Sequence, residues 1–213
     1  MTQKERQERS KREILKAARE EFGVHGYGAV TMDAICSRHG ISKGMMYHYY
    51  ANKDALFLLC VGDTFQALRD AVEQAMPQIA EERDLVSSVK AFFMIRESFF
   101  QDHPEDKNIF EDAMLRPPRH LSEQIRALHQ PLRKLNRQFL LRIVAQLSLR
   151  PGIDAAEAAQ YLESMADLFR LLLQKYAADG LIPDAHNLLK RTGELIDWIL
   201  FGVARQDVAA PEP

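Results

Sequence analysis

The chain lacks several things that would each point to a different function. No run of about 18 successive apolar residues occurs, so no segment is expected to span a membrane. The N-terminus runs charged from Lys4 to Arg12 with no apolar stretch behind it, so no secretory signal is expected. Cysteine is scarce. Cys36 and Cys60 each lie in an apolar helical context, and neither has a second Cys or a His at metal-site spacing. Both are expected to be reduced thiols in a cytoplasmic protein. The seven histidines are scattered without ligand spacing, so no metal is expected. There is no nucleophile elbow, no phosphate-binding P-loop, no dinucleotide glycine motif and no HExxH. The chain is therefore read as a non-enzyme without a cofactor. No segment alternates polar and apolar residues as a half-buried strand would.

What is present is helical. Apolar residues make up 46% of 213 residues, enough for a packed core, and charged residues make up an ordinary 27%. The net charge of −2 excludes a generally basic nucleic-acid coat. It is unevenly spread. Residues 1–55 carry ten Lys/Arg against seven Asp/Glu, and the rest carries eighteen against twenty-three. A basic head on an acidic body suggests that only the head meets a polyanion.

The punctuation of the chain sets out the elements. Ser10 with Glu13 reads as a capping box opening a first helix, with Ile14, Ala18 and Phe22 on one face. Gly23, Gly26 and Gly28 are expected to close it. Thr31 reads as the N-cap of a helix from Met32 to His39, and Gly40 as its left-handed terminator. Ser42 reads as the cap of a third short helix, with Ile41 and Met46 at the hydrophobic-staple positions. Asn52 opens a long helix expected to stop at Pro77. Later helices are expected at about 84–101, 105–115, 121–149, 155–179 and 185–206.

Residues 31–50, TMDAICSRHGISKGMMYHYY, are the informative stretch. Two short helices around a Gly-containing turn form the helix-turn-helix pattern, whose second helix enters the major groove. Met46 and Tyr50, four apart, can face inward, leaving Lys43, Met45, Tyr47 and His48 on or near the outward face. Together with ILKAAREEFGVHGY before it and ANKDALF after it, the segment Ile14 to Phe57 resembles the N-terminal domain of the TetR/AcrR family of bacterial transcription regulators.

The resemblance implies an all-α fold of about nine helices. A three-helix, homeodomain-like DNA-binding domain would occupy residues 1–51, and an effector-binding and dimerisation domain residues 52–213. It implies a homodimer on double-stranded operator DNA, by family habit a repressor released by a small-molecule effector. Thr31, Tyr47, Tyr49 and Lys53 match positions that commonly contact DNA phosphates. Ser42, Lys43, Gly44, Met45 and His48 match positions at or near the base edges. Hydroxyl and ammonium groups suit phosphate oxygens, and Gly44 lets the backbone approach the duplex. Two residues depart from the common pattern. Met45 can touch a thymine methyl but makes no useful hydrogen bond. His39 stands where a small residue is usual, and its ring is expected to face solvent. The basic run Lys4, Arg6, Arg9, Lys11 and Arg12 reads either as a solvated face or as a minor-groove arm.

The acidic body holds two apolar concentrations. Leu162, Met165, Phe169 and Leu172 form a stripe on one late helix, and Ile196, Ile199, Leu200 and Val203 crowd the last. A helix apolar on much of its circumference needs covering on two sides, so these residues are read as the dimer seam. Phe92, Phe93, Glu97, Phe100, Phe110, Met114, Leu128, Leu132 and Asn136 are read as an effector pocket, though the apolar members read equally as core. Two alternatives remain open at this point: a regulator governed by a protein partner, and a helical binder or enzyme with a degenerate head.

Overall fold

The computed structural model describes residues 2–80 and 85–178, and among them every element is helical. In chain order these are α1 (Gln3–Ala29), α2 (Met32–His39), α3 (Lys43–Tyr49), α4 (Lys53–Ala80), α5 (Leu85–Asp102), α6 (Pro104–Leu115), a short 3-10 turn (Arg119–Leu121), α7 (Ser122–Val144) and α8 (Ala155–Ala178). The all-α expectation holds. The helix expected at 185–206 lies outside the described residues.

Two expected boundaries are corrected. Helix α1 starts at Gln3, not behind Ser10. Thr2 and Glu5 form the same reciprocal box eight residues earlier: Glu5 N–H donates to Thr2 Oγ1 at 3.2 Å and Thr2 N–H to Glu5 Oε2 at 2.8 Å. Nothing between them and Ile14 breaks a helix, so propagation carries through Ser10. At the other end Gly26 has φ +73°, which interrupts the helical path before the final turn.

Helix α4 does not stop at Pro77 but runs on to Ala80. An interior proline costs a helix about 3 kcal/mol. Beyond it Ile79 is buried, which offsets about 1.5–3 kcal/mol of that. The Ser88 hydroxyl also donates to the Ile79 carbonyl at 3.3 Å, satisfying an end-of-helix acceptor.

The described residues divide into two compact units, 2–71 with 97–132, and 72–80 and 85–96 with 133–178. In the first, Ile14, Ala18 and Phe22 of α1 pack with Ile35 of α2, Met46 of α3 and Leu56 and Phe57 of α4, all fully buried. The Phe22 and Phe57 rings meet edge to face at 5.1 Å. Helix α6 is fastened to α1 and α4 by polar contacts. The Asp106 carboxylate, itself buried, takes Arg19 at 2.9 Å and the Thr64 hydroxyl at 2.5 Å. Asn108 donates to the Gly23 carbonyl, and Asp112 accepts the Tyr27 N–H at 2.7 Å. In the second unit, Phe92 stacks on Phe139 at 4.2 Å, and Ala158, Ala159 and Leu162 of α8 are buried. Arg133 pairs there with Glu163 at 2.9 Å.

Candidate nucleic-acid interface

The turn between α2 and α3 is built from the caps that the sequence marks. Thr31 Oγ1 accepts the Ala34 N–H at 3.1 Å, which starts α2. Gly40 adopts φ +65°, the left-handed geometry that ends it, and the Ile41 N–H returns to the Cys36 carbonyl at 3.0 Å. Ser42 Oγ accepts the Met45 N–H at 3.2 Å and starts α3. Ile41 and Met46 are buried on either side of that cap, as staple residues should be.

These constraints set the rotation of α3. Met46 is 0% exposed and anchors the inner face, whereas Tyr47 is 53% exposed. Lys43, Gly44 and His48 are also exposed, and Met45 and Tyr49 are half-buried. A Cβ added to Gly44 would meet nothing within 4 Å, so the backbone there is open to a large partner. Tyr50 turns inward. Its hydroxyl donates to the Lys11 carbonyl at 3.4 Å, and burial raises its pKa.

Two of the cationic candidates are already engaged. Lys43 Nζ lies 2.7 Å from the Asp33 carboxylate of α2, which raises the lysine pKa and ties the start of α3 to the start of α2. Lys53 Nζ donates to the Tyr27 carbonyl at 2.9 Å and sits 4.1 Å from the centroid of the Tyr27 ring. Tyr27 in turn donates its hydroxyl to Asp54 at 2.6 Å, and His120 approaches the other Asp54 oxygen at 2.9 Å. The tyrosine hydroxyl, followed by His120, lowers the Asp54 pKa, while burial and Asp54 push the Tyr27 phenol up to about 12. The sequence gives no sign of the partners that Asp33, Tyr27, Asp54 and His120 take. Their partners are 10, 26, 27 and 66 residues distant, beyond any local pattern.

His39 corrects a further expectation. Its ring does not turn to solvent. It lies 3.1 Å from Glu21, a carboxylate 6% exposed that also takes Arg38 at 2.5 Å. A histidine is accommodated in place of a small residue because α1 presents these acidic partners.

The body residues separate. Glu97, Phe100, Phe110, Met114, Leu128 and Leu132 belong to the first unit, and Phe92, Phe93 and Asn136 to the second. Phe100 and Phe110 are brought together at 5.1 Å. Leu128 is 36% exposed, while Leu132 is buried. Asn136 is buried and its Oδ1 has no hydrogen-bond partner among the described residues. Of the seam candidates, Leu162 is fully buried within its own chain and offers a partner no surface, while Met165 is half-buried. Phe169 and Leu172 lie within α8, and Ile196, Ile199, Leu200 and Val203 lie outside the described residues.

Residues 14–60 match the family model described as bacterial regulatory proteins, tetR family. The chain is 29% identical over 154 residues, 72% of each protein, to the HTH-type transcriptional regulator BetI of Rhizobium meliloti. It is 33% identical over 107 residues to the HTH-type transcriptional activator FasR of Mycolicibacterium smegmatis, spanning about half of each (50% and 48%). Among solved structures it resembles the fatty acid degradation regulator FadR of Bacillus halodurans, with a TM-score of 0.69 at 15% identity, covering 91% of this chain and 95% of that one. The ketosteroid regulator KstR2 of Mycobacterium tuberculosis superposes with a TM-score of 0.54 at 19% identity, covering 91% and 94%. At these identities the structural likeness concerns the fold.

Proposed function

We propose that the chain is a DNA-binding transcription regulator of the TetR type, which its matches support, and that it is a cytoplasmic repressor that grips a pseudo-palindromic operator as a homodimer and lets go when a small molecule binds its body. The carrying observation is the rotation of α3. Ser42 caps it and Met46 pins its inner face, leaving Lys43, Tyr47 and His48 exposed. In this reading residues 1–51 bind DNA and residues 52–213 bind the effector and the second copy. Thr31, Tyr47, Tyr49 and Lys53 hold phosphates, and Ser42, Lys43, Gly44, Met45 and His48 meet base edges.

The sign of regulation differs among relatives. FasR is named an activator, whereas AcnR of Corynebacterium jeikeium, 30% identical over 78 residues, is named a repressor. The effector reading draws on Asn136. A buried carbonyl oxygen without a partner is costly, and an otherwise apolar effector carrying one hydrogen-bond donor would satisfy it. Helix α4 supplies a route to the DNA. Lys53, Asp54, Leu56 and Phe57 at its start all engage the head, so a ligand that displaces α4 reorients a head that must fit its own half-site. By linkage, such an effector binds the operator complex more weakly by the factor with which it weakens DNA binding.

Selection of bound duplexes from a random library tests the reading. A pseudo-palindrome is expected, and a pool without sequence preference would overturn it. A reporter placed behind the recovered site then gives the sign.

A further inference from the structure

The family match begins at residue 14, yet α1 begins at Gln3. The eleven residues between form about three helical turns that lie ahead of the matched segment. They carry Lys4, Arg6, Arg9, Lys11 and Arg12 against Glu5, Glu8 and Glu13.

The acidic residues are occupied locally. Glu5 closes the capping box with Thr2, Glu13 holds Arg9 at 2.7 Å, and Glu8 takes Lys11 at 3.2 Å. Arg12 Nε donates to the Glu8 carbonyl at 3.3 Å. Lys4 and Arg6 make no ion pair with any described residue.

One side of this extension adjoins α3. Lys11 Nζ stands 6.0 Å from the centroid of the Tyr49 ring, and its carbonyl accepts the Tyr50 hydroxyl at 3.4 Å. Lys4 precedes Lys11 by seven residues, two helical turns, so it shares that side about 10 Å farther along the axis. At 3.6 residues per turn Arg9 points about 160° away from Lys11.

We propose that Lys4 and Lys11 form a phosphate-binding strip continuous with the recognition helix, and that its partner is the duplex backbone flanking the half-site. The inference rests on the regulator reading above. Tyr49 is a proposed phosphate contact, so a strand that reaches Tyr49 also comes within reach of the Lys11 side chain. The Lys11–Glu8 pair is solvent-exposed, and such a pair exchanges readily for a phosphate. Ammonium groups act as point charges and suit a sequence-blind contact. Because Thr2 caps the extension, its lysines are presented from a formed helix and little chain ordering accompanies binding.

The test measures binding of the full chain to the duplex recovered by selection, and to a scrambled duplex of equal length, across a salt series. K4Q/K11Q is expected to bind both duplexes more weakly by a similar factor. It should flatten the dependence of log affinity on log salt by about 0.9 for each phosphate that is no longer neutralised, about 2 per head. K4R/K11R should keep the original slope, and so should R9Q, whose cation faces away. Circular dichroism confirms that the variants retain their helix. An unchanged slope in K4Q/K11Q overturns the strip. An equal loss in R9Q overturns it in favour of a diffuse charge effect, and a loss confined to the selected duplex in favour of base reading. Failure of the wild type to select any sequence sinks the regulator reading itself, whatever the slopes.

Discussion

Lys53 is clamped by Tyr27: its ammonium donates to the Tyr27 carbonyl at 2.9 Å while resting 4.1 Å from the centre of the same residue's ring. The clamp joins the end of α1 to the start of α4 and holds a flexible side chain in one place. Lys53→Gln should weaken DNA binding on all sequences alike and reduce the salt slope by about 0.9 per head. Tyr27→Leu keeps the lysine charge but removes its ring platform. It should weaken binding with a smaller change in slope, as measured by fluorescence anisotropy.

The hydroxyl of Tyr27 makes a separate prediction about pH. Its bond to Asp54 lowers the carboxylate pKa, so this contribution to stability is present above the ordinary carboxylate range and is lost as pH falls through the lowered value. The phenol is shifted up to about 12, so its contribution is complete below the ordinary tyrosine value near 10 and is lost as pH rises toward 12. The stability difference between wild type and Tyr27→Phe should be flat from about pH 5 to 9 and shrink at both extremes. Denaturant melts across that range would show it. A difference that grows in acid would contradict the bond.

In the proposed complex, DNA competes with Asp33 for Lys43. Asp33→Asn removes a carboxylate 2.7 Å from the lysine and leaves α2 capped by Thr31. It should raise DNA affinity and steepen the salt dependence, because the lysine no longer has to leave an acidic partner and a negative charge near the phosphates is gone. Weaker binding would mean that the pair positions Lys43 instead of restraining it.

Gly23 and Gly28 should respond oppositely to alanine. A Cβ on Gly23 would lie 2.7 Å from Glu105 Cβ and 2.8 Å from its Cα, so the backbone of α6 or α1 would have to shift. Overpacking of this kind typically costs about 1–3 kcal/mol and should outweigh the gain of up to about 1 kcal/mol in helix propensity. Gly28 has nothing within 4 Å, so Gly28→Ala should be neutral or stabilising by up to about 1 kcal/mol. Thermal melts of the two variants should move in opposite directions or, at the least, differ clearly.

On α8 the exposed and buried leucines separate assembly from folding. Tyr161 and Leu168, seven apart on one face, are 42% and 48% exposed, whereas Leu162 is 0% exposed. Leu168→Glu should leave the helix content intact and shift the protein toward monomer in light scattering. Leu162→Glu buries a charge and should unfold the second unit. A Leu168→Glu protein that remains fully dimeric would place the seam elsewhere.

The sequence by itself determined what depends on neighbours in the chain. Thr31, Gly40 and Ser42 each act within a few residues, through a hydroxyl on a backbone N–H or a left-handed glycine. The two short helices, the turn between them and the burial of Met46 were therefore legible, and so were Lys43, Tyr47 and His48 on the outward face of α3, with Met45 half-buried beside them. The tertiary structure decided what depends on distant partners. Ser10 and Pro77 carry sound local signals to start and stop a helix, but Thr2 had already nucleated α1, and burial of Ile79 carried α4 past its proline. Local pattern placed Leu162 on an apolar stripe without saying which side of that stripe its own chain would cover. The attachment of Lys53 to Tyr27, of Asp54 to His120 and of His39 to Glu21 joins residues 18 to 66 positions apart. Periodicity carries no record of such pairs, because a charge chooses its partner only when packing has brought the helices together and removed the water between them.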